Sequence, residues 1–179
     1  MKKFKRVDRL FSLCGLNCSL CPSFVRGNCQ GCQQGSHCAL MCPFVPCSIE
    51  HGDIAYCFEC EEYPCNHYDG VDRKDSLISH LNQFKDMQKA KSIGIDEYHK
   101  EQLLKIDILN EFLEKYDNGH RDVFFFLAVN LMDVDDLNIV LNQASKLRGN
   151  DKSDVVKQML IDSASKRGIV LKLRKGDWW

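Results

Sequence analysis

Residues 14–22 read CGLNCSLCP, which sets three cysteines at the spacing C-x3-C-x2-C and follows the last of them with a proline. Two thiols separated by two residues can point at one ion from a single tight turn, and two such turns complete a tetrahedral shell of four sulfurs. Zinc ions and [4Fe–4S] clusters are both held by four cysteines. The stretch therefore predicts a segment that is cross-linked by metal.

The other cysteines extend this pattern. All eleven cysteines of the 179-residue chain lie between residues 14 and 65, where they form three C-x2-C pairs. Three pairs in so short a segment are a strong metal signal, whereas one pair would be weak. Among the histidines of this segment we favour His67, because it follows the last cysteine by two residues. The predicted metal ligands are Cys14, Cys18, Cys21, Cys29, Cys32, Cys38, Cys42, Cys47, Cys57, Cys60, Cys65 and His67.

Charge and hydropathy bear on the compartment and on the partners. The formal net charge of −1 gives no general attraction to nucleic acid or to an anionic membrane. No stretch approaches the roughly 18 apolar residues of a membrane span, and the basic start MKKFKR leads into no signal-peptide core. We therefore expect a cytoplasmic protein, in which reduced thiols favour metal over disulfides.

The periodicity of the sequence changes near residue 69. Residues 10–68 show no sustained helical or strand period, and such a segment buries too little apolar surface to fold without a cross-link. The remainder has helical periodicity, followed by an alternating apolar stretch at residues 169–174 that suggests a short strand. We therefore expect a cysteine-rich metal-binding module at 1–68 packed on a helical domain at 69–179. The predicted fold class is α+β, mostly α, with at most that one strand.

Five helices are expected in the second part. Their predicted starts are Asp75 or Ser76, Asp96, Asp133 and Ser153, each of which can cap a helix. The fifth is the apolar run DVFFFLAVNLM at 122–132, whose length and neighbours favour a buried helix over a strand.

The identity of the metal stays open between two classes. We favour two or three structural zinc ions, with an iron–sulfur redox protein as the alternative. A radical enzyme is disfavoured, because no run of βα units follows the motif to hold its substrates. One reasonable grouping assigns two sites of four ligands each: Cys18, Cys21, Cys29 and Cys32; and Cys42, Cys47, Cys57 and Cys60. The remaining candidates would form a third site or complete a site whose ligands are grouped differently, and they are Cys14, Cys38, Cys65 and His67.

The expected function is that of a binding module with an unknown protein partner. No catalytic residues stand out, and the surplus of thiols favours closed metal shells over a catalytic zinc with an open position. A zinc-knuckle nucleic-acid binder is a further alternative, supported by basic residues between Lys2 and Arg9. The balanced charge argues against it, since binding to a nucleic-acid backbone generally needs a basic face.

The ordered cysteine groups resemble a prokaryotic cysteine-rich family known as domain of unknown function 3795. The resemblance rests on CGLNCSLCP (14–22), CQGC (29–32), CPFVPC (42–47) and CFECEEYPC (57–65). It implies metal binding, with zinc as the presumed metal, and it implies no particular activity. The chain departs from some members by having little between Pro22 and Cys29, where they carry a helical insert. All of the cysteines except Cys38 occupy matching positions.

Overall fold

The computed structural model describes residues 6–118, 123–149 and 152–174. Helices account for the regular structure of these ranges, and the first third contains only short ones. The α-helices are α1 (Pro22–Val25), α2 (His37–Leu40), α3 (Phe44–Glu50), α4 (Gln83–Ile93), α5 (Ile95–Lys115), α6 (Phe124–Leu131), α7 (Val134–Ala144) and α8 (Ser153–Lys166). Single 3-10 turns occur at Cys18–Leu20, Cys32–Gln34, Cys57–Glu59, Asn66–Tyr68 and Val71–Arg73.

The prediction of an α+β fold is wrong, because the described residues contain helices and no strand. The alternating residues 169–174 have no regular secondary structure, and no described strand lies beside them to form a ladder. The Asp75 amide donates to the carbonyl oxygen of Arg174 at 3.0 Å, and the Arg174 amide donates to the Asp75 carboxylate at 2.7 Å. An alternating pattern needs a partner with free backbone groups to become a strand. The fold of the described part is therefore all-α.

Four of the five helix predictions are confirmed by α5, α6, α7 and α8, and the remaining one is partly wrong. Helix α4 begins at Gln83 and not at Asp75 or Ser76. The reason lies in the side chain of Asp75, which accepts hydrogen bonds from the His80 amide at 2.8 Å and from the Ser79 hydroxyl at 3.1 Å. Aspartate side chains that bond nearby amides compete with helical hydrogen bonding.

The helical core lies between α5, α6, α7 and α8. Phe112 and Phe125 stack at 5.4 Å between ring centroids, and both are fully buried. One member of this core, the fully buried Leu20, comes from the cysteine-rich segment. Burying a leucine side chain contributes about 1.5–3 kcal/mol. The cysteine-rich segment is thus packed into the helical core as well as around its own thiols.

The second attachment between the two parts is the segment that follows Cys14. Gly15 has a φ of +100°, and a Cβ atom there would lie 2.6 Å from the carbonyl oxygen of Gln83 on α4. Only glycine combines that dihedral with so close an approach. The motif CGLNC therefore needs its glycine in order to lie against α4.

A Gly15→Ala substitution tests this close approach. We expect the free energy of unfolding to fall by about 3 kcal/mol, of which about 1–2 kcal/mol reflects the positive φ and the rest the clash with Gln83. The matched control is Gly52→Ala, where φ is +89° but no atom lies within 4 Å of the added carbon. Urea denaturation should show a loss near 1 kcal/mol for the control. Equal losses in the two variants would contradict the close packing of Gly15.

Asp86 on α4 is a buried carboxylate near this attachment. Burial raises its pKa from the usual 3.8 to about 6, while Lys105 and a hydrogen bond from Asn17 oppose the rise. The folded protein therefore holds this proton more tightly than the unfolded chain does. Raising the pH from about 4 to about 6 should consequently lower the free energy of unfolding by about 2–3 kcal/mol.

Asp86→Asn removes the titrating group while keeping an acceptor oxygen. Between about pH 4 and about pH 6 the wild type should lose about 2–3 kcal/mol of stability relative to the variant. Above that range the difference in stability between the two proteins should stay constant. Comparing two proteins cancels acid effects that both share, including protonation of the thiols. A constant difference from pH 4 to pH 7, measured by urea denaturation, would show that Asp86 titrates normally.

Candidate metal centre

All eleven cysteines lie in the described part of the chain, and all are free thiols. Their environments divide them into three sets. We call Cys14, Cys18, Cys32 and Cys42 the inner thiol group, and Cys47, Cys57, Cys60 and Cys65 the outer thiol group. The remaining set, the surface thiols, consists of Cys21, Cys29 and Cys38.

The inner thiol group is surrounded by apolar side chains. Cys14 and Cys32 are buried in a cluster with Leu13, Phe44 and Val45, and the other two members pack against that cluster. Burial, followed by the nearby Cys42 thiolate, raises the pKa of Cys14 to about 12. Burial also raises the pKa of Cys32, followed by the effect of the three other members. Four thiols that oppose one another's ionisation in this way need a cation to become thiolates together.

The outer thiol group lines a cavity of about 20 Å³ next to Phe44 and Tyr63. A space of this size is comparable to that occupied by one water molecule or one ion. Burial, followed by the neighbouring thiolates of Cys14, Cys65 and Cys47, raises the pKa of Cys57 to about 12. The Tyr68 hydroxyl opposes it through a hydrogen bond to Cys57. These four thiols provide the donor set of a tetrahedral zinc shell.

The surface thiols comprise the exposed Cys38 and the half-buried Cys21 and Cys29. Burial raises the pKa of Cys21 first, and the nearby Cys29 and Cys38 thiolates contribute less. Cys38 is exposed, and the Gly31 amide donates to the Cys29 sulfur at 3.4 Å. This set has three thiols, so it would need a further donor to complete a four-coordinate shell.

Two Cys-Pro dipeptides have the same local geometry. The amides of Ser23 and Phe24 donate to Cys21 and lower its pKa, against the larger effect of burial. The amides of Phe44 and Val45 affect Cys42 in the same way. In each case the proline lacks an N–H, so the next amides at the start of a short helix point at the sulfur. Such hydrogen bonds favour the thiolate, which is the form that binds metal.

The cysteine thiols suit a metal by their chemistry, but their side chains are not arranged around a common ion. Among the residues that the structure describes, no three cysteine, histidine, aspartate or glutamate side chains are arranged so that they could hold one ion. The thiols of a group would have to turn toward one another to bind. The donor types suit zinc and iron–sulfur clusters alike.

The structure keeps Cys18 next to Cys21 and Cys29, as in the sequence-based grouping, and it places some other thiols differently. Cys42 lies with the inner thiol group and not with Cys47, and Cys21 faces Cys29 and Cys38. Cys65, which that grouping left over, lines the outer cavity. Cys18 lies between the inner thiol group and the surface thiols. Burial is the main cause of its raised pKa, and Cys14, Cys21 and Cys29 raise the pKa further by smaller amounts.

Two histidines lie near the outer thiol group. The ring of His67 packs on Phe44 with 5.7 Å between centroids. The Nδ1 atom of His51 lies 3.6 Å from the Cys47 sulfur and 2.9 Å from the Cys47 carbonyl oxygen. Cys47 lies on helix α3 and His51 follows its last residue, four positions later, so the two side chains lie on the same face. This spacing of four residues could have been recognised in the sequence.

Comparisons with known proteins add no family to these observations. A scan against protein-family models, a search of curated proteins and a search of solved structures each found no significant match. None of the helices in the described ranges is both long and apolar enough to cross a membrane. The candidate function therefore rests on the site itself.

Proposed function

We propose that this chain is a metal-binding protein in which zinc ions cross-link the cysteine-rich segment for a structural purpose. The observation that carries the proposal is the outer thiol group, whose four cysteine residues line one small cavity. The inner thiol group supports it with four more thiols in apolar surroundings. Two groups of four thiols match the ligand number of two closed zinc shells.

The proposal includes binding of a protein partner by the helical part. It is supported by apolar side chains exposed in the segment that leads into α4, with Leu77, Leu81 and Phe84 between 41% and 56% exposed. Exposed apolar side chains that lie close together are typical of interaction surfaces.

Elemental analysis of protein purified without oxygen, together with its visible spectrum, tests the metal. We expect about two zinc ions per chain, one for each group of four thiols, and no visible absorption. If the protein instead contains iron with an equal amount of sulfide and is brown, the bound metal is an iron–sulfur cluster and not zinc. Protein without bound metal would contradict the proposal as a whole.

A further inference from the structure

The segment from Cys14 to Cys18 contacts two different parts of the protein. Its two thiols belong to the inner thiol group, while the side chain of Asn17 is directed toward the helices and is only 3% exposed. The carbonyl oxygen of Cys14 accepts a hydrogen bond from the Gln83 side chain at 3.1 Å. The segment therefore contacts the thiols and the helical part at once.

Asn17 uses all of its side-chain hydrogen-bonding atoms in contacts with three helices. Its Nδ2 donates to the Asp86 carboxylate on α4 at 2.8 Å and, more weakly, to Asn130 Oδ1 on α6 at 3.4 Å. Its Oδ1 accepts from the Tyr98 hydroxyl at 3.0 Å and from Gln102 Nε2 at 2.5 Å, both on α5. The partners on these helices are buried. Removing Asn17 would leave several polar groups unsatisfied in the interior, which is costly.

We infer that Asn17 is a positioning residue that couples metal occupancy of the inner thiol group to the packing of α4, α5 and α6. The inference rests on the proposed function, and it adds a direction in which metal binding is transmitted. A metal held by Cys14 and Cys18 fixes the backbone between them, and that backbone places the Asn17 amide among its partners. Coupling between two sites is reciprocal. If metal binding stabilises the packing of these helices by some factor, then tighter packing of the helices must raise the metal affinity by that same factor.

The decisive variant lies on the helix and leaves every thiol in place. Tyr98→Phe removes only the hydroxyl that donates to Asn17, while the ring keeps its packing against Phe11 at 4.8 Å. Zinc affinity is measured by competition with a chromogenic chelator under reducing conditions. We expect one of the bound equivalents to weaken about fivefold and the other to stay unchanged. Asn17→Ala should weaken the same equivalent about 100-fold.

Two matched controls separate coupling from a general loss of stability. Tyr116→Phe removes a hydroxyl next to α5 in the helical core, and Asn28→Ala truncates an exposed asparagine of the cysteine-rich segment. Both controls should keep the wild-type zinc affinities. If Tyr98→Phe and Asn17→Ala lower the Tm but leave both affinities unchanged, Asn17 is a structural residue only and the coupling is wrong. Wild-type protein that binds no zinc would overturn the proposed function together with this inference.

Discussion

Removal of metal by a chelator in the presence of a reductant is expected to unfold the cysteine-rich segment and to leave most of the helical circular dichroism. A structural zinc contributes about 10–16 kcal/mol of apparent binding free energy in small modules, which is as large as the whole stability of a typical domain. The segment has only short helices and small apolar clusters of its own. Without its cross-links it has little to offset the entropy of its chain.

The helices should respond to the same treatment in a graded way. Helices α5–α8 share a core built around Phe112, Phe125 and Leu160, so their circular dichroism should persist at low temperature. Their Tm should nevertheless fall, because Leu20 and Asn17 are contributed by the segment that unfolds. Limited proteolysis followed by mass spectrometry locates the change. We expect new cleavage sites between residues 6 and 68 and protection from 95 onward.

The alternative outcomes are distinct. Loss of all helical signal at low temperature would mean that the helices do not fold without the metal-bound segment. An unchanged proteolysis pattern after complete removal of metal would mean that the apolar clusters hold the first third together alone. Adding zinc back under reducing conditions serves as the control for irreversible damage, and it should restore both the Tm and the protection.

Cys57→Ser is expected to have the largest effect among the conservative changes, and Cys38→Ser the smallest. Cys57 lines the outer cavity, and burial raises its pKa to about 12. Its loss should release about one zinc ion and lower the free energy of unfolding by several kcal/mol, since three ligands hold a structural zinc poorly. Cys38 is exposed and belongs to the surface thiols. Its replacement should cost less than about 0.5 kcal/mol.

The two serine variants can be compared directly, because the chemical change is the same and only the environment differs. Zinc content by elemental analysis and stability by urea denaturation are measured on both proteins. Equal losses of stability would contradict the division of the cysteines into groups of different importance. A loss of zinc in Cys38→Ser without a loss in Cys57→Ser would place a principal metal site at the surface thiols.

Much of this organisation could be predicted from local sequence features. The cysteine spacings indicated candidate metal ligands, and the helical periodicity predicted α5, α6, α7 and α8. These features are local, because a helix depends on contacts three and four residues apart and a C-x2-C turn on even fewer. The predictions that failed depended on distant partners. Residues 169–174 pack on the helical core through Ile169 and Leu171, and among the described residues no second strand lies beside them. Asp75 caps no helix because it bonds His80 and Arg174.

By itself the sequence determined the chemistry of the candidate site: eleven thiols in one segment, three turns able to present two sulfurs each, and a glycine within the first motif. Only the tertiary structure decided which turns face one another, bringing Cys14 to Cys32 and Cys47 to Cys65. It also decided that Asn17 reaches three helices. The physical reason is that spacing along a chain fixes which residues share a turn, whereas the meeting of turns depends on the packing of apolar side chains such as Leu20 and Phe44.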